Sequence, residues 1–308
     1  MAQSPRLRAN LLLLLASMIW GFAFAAQRMG AEFVGPFTFN SVRFMMGAGV
    51  LVAVIAIVDR VRKRSKQRRR AATKAVIVPG LICGALLTAA VGLQQAAMSY
   101  TTAGNAAFIT GLYIVLVPLA GLFRGQRPGW TIWVALPLAV TGLYLIAVQD
   151  SFEINLGDAL VLGSAFCFAV QIQFVDYYSR RLSALRFSAS QFFFCSVTSG
   201  VVALFIDAAP FTGLDQAVIP VLYTGILSVG LAYTLQVFGQ RDALPSVAAL
   251  IMSMEAVFGG LGGWLLLGED MGLRGYCGAA LMCLGILVSQ LGTPTTEVRS
   301  EHVTPKGG

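Results

Sequence analysis

Ten unbroken apolar runs occupy most of the chain, at 9–28, 36–58, 75–99, 103–123, 129–149, 157–179, 187–207, 215–238, 244–267 and 272–292. A hydrocarbon core of about 30 Å takes roughly 20 apolar residues in helical form, so every run is long enough to span one. Composition agrees, with 57% hydrophobic and 12% charged residues against roughly 45–50% and 25% in soluble domains. A membrane barrel would show short alternating segments, whereas these runs are continuous and rich in Leu, Val, Ala and Gly. The expected fold is an all-α integral membrane protein with ten transmembrane helices.

Charge orients the spans, because short cytoplasmic loops retain Lys and Arg. Alternate gaps sort 19 of the 22 cations to one side, nine of them in the 59–74 loop, while Arg28 and Arg274 alone lie opposite. Eight of the 14 acidic residues fall on that second side: Glu32, Asp150, Glu153, Asp158, Asp207, Asp215, Glu269 and Asp270. Both termini are therefore expected in the cytoplasm. The formal charge of +8 reflects this topology and implies no nucleic-acid partner. The 59–74 cluster is also placed to touch anionic headgroups, at about 1 kcal/mol per basic residue.

Other readings fail on particular residues. Arg6 and Arg8 ahead of Leu11 to Leu15, with Ala23-Phe24-Ala25 beyond, resemble a signal peptide. The apolar run outlasts an h-region, however, so retention as the first span is expected. The five cysteines, Cys83, Cys167, Cys195, Cys277 and Cys283, all fall inside spans with no Cys-x-x-Cys pair, and read as small packing residues. His302, the single histidine, lies in the polar tail. That leaves no imidazole inside the fold for zincin, haem or serine–histidine chemistry. No cofactor or metal is implied, and an enzyme is not expected.

The chain is internally repeated. Val78-Pro79-Gly80-Leu81-Ile82-Cys83-Gly84 matches Ile219-Pro220-Val221-Leu222-Tyr223-Thr224-Gly225, and Gln95 meets Gln236 at the same offset of 141. Further on, Thr141-Gly142-Leu143 meets Leu284-Gly285-Ile286 at 143, and Ala16-Ser17 pairs more weakly with Gly163-Ser164 at 147. Residues 1–149 and 150–292 thus read as two five-span units, followed by a tail at 293–308 expected to be cytoplasmic and disordered. Five is odd, so the halves insert in opposite senses. Arg124 and Arg127 at one turn answer Glu269 and Asp270 at its counterpart. Inverted repeats of this kind suit alternating access, with a substrate site near the midplane between the halves.

Specific residues carry a family resemblance. Met254-Glu255-Ala256-Val257-Phe258, the glycine-rich Gly259-Gly260-Leu261-Gly262-Gly263, Leu265-Leu266-Leu267-Gly268-Glu269 and Gly278-Ala279-Ala280-Leu281 resemble the closing segment of an EamA domain. In the first half, Ser17-Met18-Ile19-Trp20-Gly21, Pro36-Phe37-Thr38-Phe39 through Arg43-Phe44, and Gly111-Leu112-Tyr113 through Pro118 are similar. The resemblance to EamA-type carriers of the drug/metabolite transporter superfamily covers about 1–292. It implies a bacterial inner-membrane carrier, often an exporter, of amino acids, other metabolites, nucleosides or toxic compounds. Ala256 stands where the family has proline, so any break in the ninth helix is expected to be weaker here, since alanine keeps its backbone donor.

Two charges inside spans need an account, because an ionised side chain at the bilayer centre costs from about 2.5 kcal/mol upward. Arg43 lies about 10 Å below the outer end of the second helix, at 1.5 Å rise per residue. A structural bond or snorkelling is the favoured role, and attraction of a substrate carboxylate the sharper one. Glu255, about eleven residues into the ninth span, is the carboxylate nearest the midplane. Its candidate roles are proton coupling, recognition of a substrate ammonium, or a neutral bond to a neighbouring helix.

Neutral polar residues outline the cavity. Ser17, Trp20, Phe24 and Gln27 form a stripe on helix 1, matched by Ser164, Phe168, Gln171 and Val175 on helix 6. The substrate-binding set is expected to be Trp20, Phe24, Gln95, Asn105, Tyr113, Gln171, Tyr233 and Gln236, with interhelical bonding as the competing role, since amides in hydrocarbon need partners. Gly259, Gly260, Gly262 and Gly263 are expected to allow close helix approach. The functional expectation is a secondary transporter exporting amino acids or related metabolites. Efflux of lipophilic cations is the alternative, and a lipid-linked-sugar flippase or a non-transporting assembly protein the alternative of another class. Its partners are a small-molecule substrate and the bilayer, with a proton as candidate coupling ion and the oligomer open between monomer and homodimer.

Overall fold

The computed structural model describes residues 5–101, 103–147, 156–267 and 272–291. Among them nine helices are long and apolar enough to cross a membrane, and Trp130–Leu145 is a shorter apolar helix. In chain order α1 (Pro5–Ala31) and α2 (Pro36–Val61) form the first two spans, and α3 (Lys66–Lys74) is a short polar helix after them. Span 3 is α4 (Ile77–Ala97), span 4 is split into α5 (Ala103–Gly111) and α6 (Tyr113–Phe123), and span 5 is α7 (Trp130–Ala147). The second half runs through α8 (Leu156–Ser179), α9 (Ala184–Ile206), then α10 (Val218–Leu222), a π-helical segment (Tyr223–Ala232) and α11 (Tyr233–Gly239) in one continuous span. It closes with α12 (Pro245–Met252) and α13 (Glu255–Leu267), which share span 9, and α14 (Gly272–Gln290). The tail expected at 293–308 and the Glu269–Asp270 turn lie outside the described residues.

Local chemistry sets the boundaries. Pro36 and Pro245 stand in the first turns of α2 and α12, where a missing N–H breaks no intrahelical bond. Span 4 ends in a Schellman motif: Gly125, at φ +74, donates to Leu122 O while Gln126 N reaches back to Gly121 O at 2.9 Å. The splits in spans 4 and 9 share a cause. Leu112 N bonds Ile109 O at 3.2 Å and Val115 N bonds Leu112 O at 3.0 Å; in span 9, Met254 N bonds Ile251 O at 3.2 Å and Ala256 N bonds Ser253 O at 3.1 Å. These i→i−3 bonds tighten one turn and restart the helix in a new direction. The break in span 9 therefore forms ahead of Ala256 without the family's proline. Ser253 assists, its hydroxyl donating to Leu250 O at 2.8 Å.

Helix contacts repeat when the two halves are exchanged. Span 5 packs on span 10 and span 2 on span 7, each pairing equivalent helices. Span 1 lies against spans 8 and 9, and span 6 against spans 3 and 4. The central core collects Phe44, Leu87, Val91, Val117, Phe192 and Val229 from both halves. At the seam a Cβ on Gly21 would stand 2.4 Å from Phe258 Cβ and 2.7 Å from Gly259 N, so α1 and α13 approach with backbone nearly in contact. By contrast Gly259 has room, its nearest neighbour 3.6 Å away, and the side-chain environment of Gly263 is outside the described set. The stringent glycine of this crossing sits on helix 1, opposite the glycine-rich run.

Loop charges do more than orient the chain. At the acidic end, Asp207 accepts from Phe37 N at 3.3 Å and Thr38 N at 2.7 Å, capping α2 from the end of α9. Asp158, in the first turn of α8, accepts from the Thr101 hydroxyl at 2.7 Å. Arg28 donates to Met98 O and Thr101 O just past the C-terminus of α4. Anions thus sit at helix starts and a cation at a helix end, as the helix dipole favours. At the basic end Asp59 pairs with Arg186, with Arg64 at 3.6 Å and with Arg69 at 3.8 Å.

Candidate functional site

A cavity lies where the broken spans meet helices of both halves. Its walls are Trp20, Phe24 and Gln27 from α1, Arg43 from α2, Gln94 from α4, Thr110 and Tyr113 from the split span 4, and Phe168 and Ile172 from α8. Ser228, Tyr233, Gln236, Met252 and Glu255 complete them. The empty space, open mouth included, is about 470 Å³.

The repeat register explains two of these residues. An offset of 142 carries Tyr113 onto Glu255, and each is the first residue of the helix that restarts after a break. The two halves therefore project a phenol and a carboxylate from equivalent points into one space. The π-helical segment plays a comparable part in span 8. Single π turns recur at functional sites because the wider winding redirects side chains. Ser228 within it and Tyr233 and Gln236 after it all reach the cavity.

Arg43 is 2% exposed and held on several sides. Its Nε donates to Asn40 Oδ1 at 2.8 Å and its Nη1 to Gln27 Oε1 at 3.1 Å. The guanidinium carbon lies 5.4 Å from the Phe39 ring centre and 5.2 Å from that of Phe44, a cation–π arrangement. Behind it, Asn40 donates to Val91 O and Gln95 to Gln27 O, tying the first three spans together. No carboxylate among the described residues comes within 4 Å of Arg43. Its charge is fixed in place and not neutralised by an ion pair.

The same cavity holds buried polar atoms with unused capacity. Trp20 Nε1 and Gln236 Oε1 have no hydrogen-bond partner, while Tyr113 and Glu255 lie within side-chain reach of each other. Buried polar groups in native proteins are nearly all satisfied, so the unspent capacity at this cavity is where a guest's polar groups can bond. Glu255 forms no ion pair with Arg or Lys among the described residues. Tyr233 lies within electrostatic reach of both Arg43 and Glu255, and its ring meets Trp20 edge-on at 4.7 Å. The cavity accordingly offers a cation, a carboxylate and an aromatic wall together.

Of the residues singled out in the sequence, Trp20, Phe24, Arg43, Tyr113, Tyr233, Gln236 and Glu255 line this space. Gln95 does not: it is 1% exposed and spends its amide on Gln27 O, while its neighbour Gln94 faces the cavity and bonds Thr110 at 3.1 Å. Gln171 is also outside the lining, paired with Gln191 at 3.4 Å between α8 and α9. The side chain of Asn105 lies outside the described residues. Gln94, Thr110, Ile172, Ser228 and Met252 are lining residues that the sequence did not single out. Gln94 was adjacent to the chosen glutamine, and the rest carry no signal beyond lying in apolar runs.

Helices that span a membrane, two of them broken where they meet around a half-polar cavity, define a multi-pass membrane transporter, for discontinuous helices at a repeat interface are where such proteins bind substrate. The chain belongs to the EamA-like transporter family, whose pattern matches residues 7–148 and again 155–291. An uncharacterized transporter of Archaeoglobus fulgidus is 28% identical over 93% of this chain and 87% of its own length. The threonine/homoserine exporter RhtA of Escherichia coli K12 is 30% identical over 60% of this chain and 61% of its own. One solved crystal structure superposes with a TM-score of 0.74 at 18% identity, covering 93% of this chain and 97% of that one, a likeness of fold alone.

Proposed function

We propose that this protein is a secondary transporter of the bacterial inner membrane that exports amino acids or related small zwitterions by alternating access between its two five-span units. The basic end and both termini face the cytoplasm in this reading, following the positive-inside rule. The observation that carries the substrate class is the pairing of Arg43 and Glu255 in one cavity, neither neutralised by an ion pair. A zwitterion satisfies both, carboxylate toward the guanidinium and ammonium toward Glu255, with its side chain against Trp20, Tyr113 and Tyr233. The amino-acid export for which RhtA is named supports the same class.

Efflux of lipophilic cations ranks second, favoured by a carboxylate among aromatic rings. Arg43 argues against it, since a monovalent cation would enter beside an unneutralised guanidinium. Glu255 is also the group best placed to carry a coupling proton. Counterflow into proteoliposomes separates these readings. The panel is a set of labelled amino acids, the matching amines without the carboxyl, the matching acids without the amine, nucleosides and a cationic dye, each with and without a pH gradient. Zwitterions should exchange and both truncated analogues should not. Exchange of amines and dye alone would establish the cation reading, and no flux of any class would remove the carrier reading itself.

A further inference from the structure

Two hollows outside the central cavity meet at the basic end of spans 2 and 7. The inner one, about 840 Å³ with its open mouth, is framed by the end of α2, the start of α9 and the turn after α11. It holds Arg62, Arg64, Arg186 and Arg241 against Asp59. That carboxylate is already engaged by Arg186, Arg64 and Arg69. Arg62 and Arg241 are exposed and form no ion pair among the described residues. Ser183 opens the 23-residue α9 at this hollow and makes no side-chain capping bond, so the first amides of the helix add to the positive field.

The outer hollow, about 1240 Å³ with its open face, is an apolar trough between α2, α4 and α9, walled by Met45, Val52, Ile77, Phe193 and Phe194. Ile55 and Arg186 line both hollows, so the trough begins where the arginines end. From Ile55 to Met45 it follows α2 for about 15 Å at 1.5 Å per residue. That is half of a hydrocarbon core of about 30 Å, the depth of one leaflet.

We propose that this composite site holds one anionic glycerophospholipid, its phosphate among Arg62, Arg64, Arg241 and the start of α9, and an acyl chain in the trough. A basic hollow at headgroup level supplies the charge selection, and the trough excludes a free phosphate as the preferred guest. A second copy of the chain fits poorly, because a two-fold contact through this face would bring two arginine-rich hollows together. The lipid would touch α2 of the first half and α9 of the second, a pair packed tightly across the molecule.

The test uses full-length protein, delipidated in detergent and titrated with phosphatidylglycerol, phosphatidylethanolamine or glycerol-3-phosphate. Binding is read by native mass spectrometry and by the shift in melting temperature. Phosphatidylglycerol should bind and stabilise. The double variant Arg62→Gln/Arg241→Gln should weaken it roughly thirtyfold, from about one basic contact's worth at each position. Both side chains are exposed and unpaired, so the melting temperature without lipid should stay put. Gly49→Leu puts a side chain into space with nothing within 4 Å of its Cβ, on the trough wall, and should weaken lipid binding while leaving the arginines intact. Equal binding of phosphatidylethanolamine, or indifference to the double variant, would overturn the charge selection. Competition by glycerol-3-phosphate at the lipid's own affinity, or indifference to Gly49→Leu, would overturn the acyl site.

Discussion

At the scale of single residues, Glu255 and Arg43 would divide the work of holding the proposed zwitterion. Replacing Glu255 by Gln keeps the side chain's shape and removes its charge. Losing a charge-assisted contact of about 1.5–3 kcal/mol should weaken substrate affinity roughly tenfold to a hundredfold, measured as the concentration for half-maximal counterflow. Affinity and pH response both unchanged would remove Glu255 from recognition and coupling alike. Arg43→Lys is a different experiment. An ammonium cannot reproduce the guanidinium fork that bonds Asn40 and Gln27 together, so melting temperature and substrate affinity should fall together, with about 1–3 kcal/mol lost from stability. A drop in affinity alone would mean that the network survives without the fork. Much of this site was legible in the sequence because charge and aromaticity inside an apolar run are rare enough to need a reason. That Gln95 and Gln171 fall outside the cavity lining has a physical origin. An amide in a hydrocarbon-crossing run tells only that it turns away from lipid, and adjacent helical positions point about 100° apart. Gln94 and Gln95 were therefore indistinguishable until their neighbours were placed.

Among the helical elements, hydropathy located the spans to within a few residues, since length and apolarity are what a bilayer imposes. It was blind to the breaks, which come from four i→i−3 bonds and a serine hydroxyl near the middle of apolar runs. The π winding of span 8 was equally silent, for its counterpart α4 stays α-helical with proline, glycine and glutamine at the matching positions. Element ends offer two checks. Asp207→Ala removes the cap on α2 supplied from across the molecule, and a lost N-cap costs roughly 0.5–2 kcal/mol; the melting temperature of the purified protein should drop accordingly. Gly21→Leu forces a side chain into the Phe258 and Gly259 backbone, where overpacking costs about 1–3 kcal/mol or more. Yield of folded monodisperse protein should fall, whereas Gly259→Ala, with 3.6 Å of clearance, should be tolerated. Equal behaviour of the two variants would mean that the crossing is not set by Gly21.

For the molecule as a whole, alternating access requires that contacts closing one end of the cavity part while those at the other end form. The basic end is held between spans 4 and 6 by Arg124, which donates to Gln173 O at 2.7 Å and to its Oε1 at 3.0 Å, and by Gln126, whose amide reaches the same Oε1 at 3.0 Å. Gln173 in turn donates to Val117 O at 2.9 Å. Spans 4 and 6 belong to different halves, so this knot must loosen if the halves rock against each other. Cysteines introduced as Gln126→Cys and Gln173→Cys stand close enough to be joined by a short thiol crosslinker. Joining them should suppress counterflow by about tenfold or more, since a carrier held in one conformation cannot complete its cycle, and cleaving a reducible linker should restore it. Either single variant, treated in the same way, controls for the native cysteines, of which Cys277 and Cys283 are exposed. Undiminished counterflow in the crosslinked double variant would show that spans 4 and 6 keep their contact throughout the cycle. The gate would then lie at the acidic end, where Arg28, Thr101 and Asp158 bind spans 1, 3 and 6.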